Sequence, residues 1–121
     1  VRSEMVPWTR VRCIGTNISM SRRTAAICTT THTRLPAVNA NGLVVGVLPV
    51  LGALLSPESD TSSLLKEPLF ISPETSVRDA LHALRERDVA MAIVTSQSKK
   101  PIGIVTLKDL VEPIVGELAA W

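Results

Sequence analysis

A hydroxyl and a carboxylate lie three residues apart late in the chain, Thr106 and Asp109, with a cation, Lys108, between them and Gly103-Ile104-Val105 just before. A threonine opening a helix sits beside backbone N–H groups that lack intrahelical partners, at the positive end of the helix dipole, and this setting attracts phosphate. An aspartate one turn on can accept two hydrogen bonds from a cis-diol such as a ribose. The same spacing is also a threonine and an acid placed to cap a helix ahead of an apolar run, which needs no ligand. One carboxylate cannot fill both roles fully, so a ligand role requires Asp109 to turn from the backbone toward the diol.

Other reactive residues are sparse. Cys28 and His32 fall at i and i+4, a spacing that could put both on one helix face. No further ligand-type residue is spaced to complete a zinc site, and the better account is a buried small hydrophobe beside a helix-end histidine. Two cysteines, Cys13 and Cys28, provide no disulfide framework, which fits a reducing compartment, as does the absence of a signal peptide. Two histidines and two cysteines at these positions assemble no nucleophile, base and orienter, so an enzyme is not expected. Thirteen basic and eleven acidic residues are largely interleaved, and Arg10, Arg12, Arg22 and Arg23 read as a solvated face. The only aromatics are Trp8, Phe70 and Trp121, too few for the stacking platforms of a single-stranded nucleic-acid binder.

The elements that must carry Thr106 and Asp109 are written twice. Arg34 to Val38, a turn at Asn39 to Gly42, Val44 to Leu48 and a helical Val50 to Leu55 make one copy; Ala90 to Val94, a turn at Thr95 to Lys100, Ile102 to Val105 and a helix from Leu107 make the other. Gly46 and Gly103 are 57 residues apart, and the upstream helical segments Ser19 to Thr30 and Ser76 to Arg87 keep that offset. In the second segment Ser76 and Asp79 form a capping pair, and Val77, Ala80, Leu81 and Leu84 make an apolar stripe with His82, Arg85 and Glu86 outward. Leu69 to Ile71 and Val11 to Ile14 supply the first strand of each copy. Each repeat therefore reads as strand, helix, strand, strand, helix. The expected fold is α+β: two β-α-β-β-α repeats, 1–55 and 64–121, packed about a pseudo-twofold axis and joined by a mobile polar linker, 56–63. Units of this size are marginal alone, so one shared core is expected. The last helix should run toward Leu118 with a kink at Pro113.

Leu35 to Pro57 carries no charge, but its densest stretch, Gly42 to Leu55, is 14 residues long. That is short of the ~20 a helix needs to cross a bilayer. Asn39, Asn41, Gly46, Pro49 and Gly52 punctuate it, so it reads as buried strand, turn and helix.

The duplicated unit, with Gly103-Ile104-Val105-Thr106-Leu107-Lys108-Asp109 at its last strand-to-helix junction, resembles a tandem pair of CBS domains, the Bateman module. Met5-Val6-Pro7, His32 to Val38 and Val115-Gly116-Glu117 narrow the likeness to the CorC/HlyC hemolysin-like group, which includes the CNNM metal transporters. The resemblance implies a regulatory module, excised from a longer protein, on the cytoplasmic face of a membrane ion-transport domain of the Mg/Co efflux type, with a further C-terminal domain. It implies an adenine nucleotide (AMP, ADP or ATP, with Mg) in the cleft between repeats and no obligatory cofactor. Ribose would lie on Asp109 and phosphates near Thr106 and Lys108, with Ile104, Thr33 and Arg34 lining the cleft. In the first copy Pro49 and Gly52 replace the threonine and aspartate, so at most one intact site is expected. The alternative is a ligand-free dimerisation scaffold, and a homodimer through the CBS modules is expected in either case.

Overall fold

The computed structural model describes residues 1–30 and 32–112. In chain order the elements are β1 (Val6–Pro7), a 3-10 turn (Trp8–Arg10), β2 (Ile14–Gly15), α1 (Met20–Cys28), β3 (Arg34–Val38), β4 (Val44–Pro49), α2 (Val50–Leu55), α3 (Thr61–Leu64), β5 (Phe70–Ile71), α4 (Val77–Arg87), β6 (Met91–Thr95) and β7 (Pro101–Thr106). A fifth helix, α5, occupies 107–112 of the described residues. The expected kink at Pro113, Val115-Gly116-Glu117 and Trp121 lie outside the described residues. Contacts divide the chain into a first unit, Arg12–Pro68, and a second that joins Val1–Val11 to the chain from Leu69 onward. Repeat boundaries drawn from self-similarity and these compact units are thus different partitions.

In the first unit the sheet order is β2-β3-β4, with β2 parallel to β3 and β4 antiparallel to it; in the second it is β1-β7-β6-β5, with β5 parallel to β6 and the other pairs antiparallel. The duplication extends to register. Leu35 faces Leu48 as Ala92 faces Val105, and both hairpins shift register at the equivalent step, Ala37/Val38 and Val94/Thr95. Ser19 and Ser76 cap α1 and α4, their side chains accepting from Arg22 N at 3.3 Å and Asp79 N at 3.1 Å. Such a cap satisfies one of the orphan donors of a helix start.

Each unit has an apolar cluster of its own. Ile14, Ile27, Leu35, Ala37, Leu48, Val50 and Ala53 cluster in the first unit, and Val1, Ile71, Ala80, Leu84, Ala92, Val94, Val105 and Leu110 in the second. Each sheet has its own helical stripe to bury, so each unit collects its own cluster.

The linker is not loose. Arg23, expected on a solvated face, is wholly buried. Its Nη1 donates to Ser59 O at 2.7 Å and Thr61 Oγ1 at 3.0 Å, and its Nη2 to Pro57 O at 3.0 Å. A guanidinium fork has enough donors to fasten three points of one segment, which a single apolar contact cannot do.

The outer edges of β4 and β7 are each covered by an extended strap. Val47 exchanges both backbone hydrogen bonds with Lys66, at 3.0 and 2.9 Å, while Val6 pairs with Ile104 and Pro7 with Gly103. These straps explain the two repeated glycines. A Cβ on Gly46 would stand 2.8 Å from Leu65 Cβ, and one on Gly103 would stand 2.6 Å from Val6 O and 2.8 Å from Met5 Sδ. Both glycines are there because another chain segment crosses them in contact.

Candidate functional site

Thr106 ends β7 and stands immediately ahead of α5, so sheet and helix together fix its position. Its Oγ1 accepts from Asp109 N at 3.2 Å, while Asp109 Oδ2 accepts from Thr106 N at 3.1 Å and from Thr106 Oγ1–H at 2.9 Å. This is the reciprocal capping box that the spacing allowed. It consumes one carboxylate oxygen. Oδ1 of the half-buried Asp109 has no hydrogen bond among the described residues, so a diol can be received there without breaking the cap. The requirement that Asp109 turn from the backbone is therefore relaxed.

The helix start is less open than expected. Leu107 N donates to Ala90 O at 2.9 Å and Asp109 N is held by Thr106, which leaves Lys108 N as the first-turn donor available to an external acceptor among the described residues. The Lys108 ammonium is exposed and lies 3.6 Å from Glu112 Oε1. Such an exposed pair contributes little and releases easily to a phosphate. Ile104, on β7, is partly buried between Val6 and Ile93 in the ladder.

In the first unit the equivalent junction is chemically blank. Pro49 stands at the N-cap of α2 with no side-chain cap bond, and Gly52 takes the place of the aspartate. The frame is otherwise conserved between the copies, since Val50 N donates to Thr33 O at 2.9 Å just as Leu107 N does to Ala90 O. Thr33 thus has a backbone duty, and its Oγ1 accepts from Arg34 Nη1 at 3.3 Å; both side chains are exposed. The structure brings Thr106, Lys108 and Asp109 together on one turn and pairs Thr33 with Arg34 on another unit.

The Cys28–His32 spacing leads nowhere. Helix α1 ends at Cys28, so the two are not on one helical face, and Cys28 is exposed rather than buried. Cys13 is the partly buried cysteine, and burial pushes its thiol above the usual range. Among the described residues no group of three or more His, Cys, Asp or Glu is placed to hold a metal, and no helix is long and apolar enough to cross a membrane. Missed by sequence reasoning were Arg23 and the strap Met5–Pro7. The signal for Arg23 was present: it stands 57 residues before Ala80, in the middle of the buried stripe.

Replacing Thr106 by alanine is expected to cost about 1 kcal/mol, the usual value of a lost N-cap, read as a lower midpoint in urea. Pro49→Ala in the first unit, where no side-chain cap exists, should move the midpoint by less.

Residues 62–116 match the CBS domain family. Hemolysin C of Brachyspira hyodysenteriae is 30% identical over 98% of this chain, which spans 45% of that protein. A UPF0053 protein of Mycoplasma genitalium is 25% identical over 98% of the chain, which spans 29% of it. The CBS domain of a bacterial CNNM/CorC family Mg2+ transporter, solved in complex with ATP, superposes with a TM-score of 0.86 at 28% identity, covering 95% of this chain and 86% of that one. Residues 62–116 of the chain are therefore a CBS domain. The chain's relatives lie in the hemolysin C and CNNM/CorC group that the motifs indicated, and it spans less than half the length of these two sequence relatives. The family match falls on the second CBS repeat, the one that retains Thr106 and Asp109.

Proposed function

We propose that this CBS pair, with 1–55 and 64–121 as its repeats and 56–63 as their joint, is the regulatory module of a CNNM/CorC-type magnesium transporter and binds an adenine nucleotide, with Mg, at Thr106 and Asp109. The observation that carries the reading is the unspent Asp109 Oδ1 beside an anchored Thr106 and an open Lys108 N–H. Ribose takes the carboxylate oxygen, and phosphate takes the Lys108 N–H with its side-chain ammonium nearby. Ile104 would pack against the nucleoside. Thr33 and Arg34 are kept as nucleotide contacts on the strength of the resemblance, and Arg34→Ala tests them separately. A related CBS domain whose structure contains ATP supports the same class of ligand. Placement on the cytoplasmic side and pairing into a homodimer belong to this proposal.

The test is calorimetric titration of ATP, ADP and AMP with and without Mg2+. Binding of at least one nucleotide, weakened about tenfold or more in Asp109→Asn, is expected, since asparagine keeps a capping oxygen but loses the charge-assisted bonds to the diol. No heat at millimolar nucleotide would overturn the proposal and favour the ligand-free scaffold.

A further inference from the structure

We infer that the strap Met5–Pro7 reads the state of the nucleotide site through β7, so that occupancy at Thr106 and Asp109 locks the strap and strap release weakens the nucleotide. This rests on the proposed adenine-nucleotide reading of the second repeat. The strap joins β7 by the smallest of ladders, Val6 with Ile104 and Pro7 with Gly103, while the residues ahead of it are fastened by the buried Val1, by Met5 packed on the same cluster and by the Arg2–Glu74 pair at 3.0 Å. Proline brings no N–H, so this ladder is short of a donor as well as short of length. Elements with so few backbone bonds open locally at low free energy and respond to small changes in what they lie on.

What the strap lies on is the site's own strand. Gly103 is three residues from Thr106 along β7, and the strap crosses it so closely that a single methyl there would collide with Val6 O and Met5 Sδ. Ile104 pairs with Val6 on one edge and with Ile93 on the other. Thr106, the last residue of the same strand, is bonded at both N and Oγ1 to the carboxylate that is to hold the ribose. A nucleotide that fixes Asp109 therefore fixes Thr106, and the strand end that Thr106 terminates is the floor on which the strap closes. The equivalent strap at Lys66 lies on β4, which ends at Pro49 with Gly52 beyond, and has no such connection.

Linkage makes the effect reciprocal: the factor by which ATP protects the strap is the factor by which an opened strap weakens ATP. Amide hydrogen exchange of the 121-residue chain, with and without Mg-ATP, measures the first arm. Exchange at Met5, Val6 and Trp8 is expected to slow about fivefold or more, the lower end of ordinary coupling, with Lys66 unchanged within about twofold. Calorimetry of Gly103→Ala and Met5→Ala measures the second. Gly103→Ala forces the strap off by collision, and Met5→Ala, which adds no atom, loosens it without the risk of misfolding β7. Gly103→Ala should weaken ATP by up to the factor seen in exchange, and Met5→Ala by a smaller factor that rises with the fraction of open strap it creates. ATP that binds by calorimetry while the strap amides keep their rates, or Met5→Ala that frees the strap at unchanged affinity, would overturn the inference and leave the nucleotide reading intact. ATP that does not bind at all would overturn both.

Discussion

Arg23→Ala is expected to lower stability by about 3 kcal/mol, a fall in melting temperature of roughly 10 °C for a chain of this size. The wholly buried guanidinium supplies three hydrogen bonds to Pro57 O, Ser59 O and Thr61 Oγ1, and each bond to a charged donor contributes about 1.5–3 kcal/mol. The loss is smaller than their sum because the two carbonyls lie on a polar segment and regain water once released. Burying the guanidinium also carries a desolvation cost that the variant no longer bears. No carboxylate is bonded to Arg23, and its buried Nε has no partner among the described residues, so the fork is fastened by dipoles alone. Arg23→Met, which keeps the stem and removes the charge, should therefore fall between alanine and the native residue. Hydrogen exchange should rise at Ser59 to Lys66 in both variants, with β6 unmoved. A melting temperature unchanged in Arg23→Ala would show that the linker stays in place without the clamp.

Leu84→Ala should cost about as much, ~3 kcal/mol, by a different mechanism. Leu84 is 1% exposed on the inner face of α4, in one cluster with Ala80, Ala92, Val94 and Val105. Removing it leaves a cavity between a helix and a β-sheet that cannot close without displacing the helix. Its counterpart Ile27, 2% exposed in the other cluster, should give a loss of similar size. His82→Ala, on the outward face where His82 and Glu86 form an exposed pair at 3.3 Å, should change stability by less than about 0.5 kcal/mol. Urea denaturation separates the two outcomes, and a loss below about 1 kcal/mol in Leu84→Ala would mean that α4 does not carry the core of its unit.

Why Leu84 was legible in the sequence and Arg23 was not follows from how each earns its burial. Leu84 belongs to a periodic stripe, and periodicity reports which face of a helix is covered. Arg23 occupies the stripe position of Ala80 but is charged, and a charge is buried only where particular acceptors wait for it, here on a segment 34 to 38 residues away. No local pattern encodes those partners. The strands, their order of pairing with helices and the cap at Ser76 were legible because turn residues, apolar runs and the Ser76-Val77-Arg78-Asp79 spacing are local signals. The straps were not, since a two-residue strand and a single bridge at Lys66 have no period. The Thr106–Asp109 pair was legible as an alternative between cap and ligand site. Only coordinates could show that the cap uses one oxygen and leaves the other.

The crossing of the straps fixes how this chain can be divided. The edge of the second sheet is closed by Val6 and Pro7, at the start of the first repeat, and the edge of the first by Lys66, at the start of the second. A cut between Ser59 and Asp60 would hand each half the strap that its partner needs and leave both β4 and β7 with bare backbone donors and acceptors, the condition under which sheets recruit neighbouring chains. Once duplicated in this way, neither repeat can be dispensed with, and a fragment carrying one alone would have to borrow its missing border from another molecule.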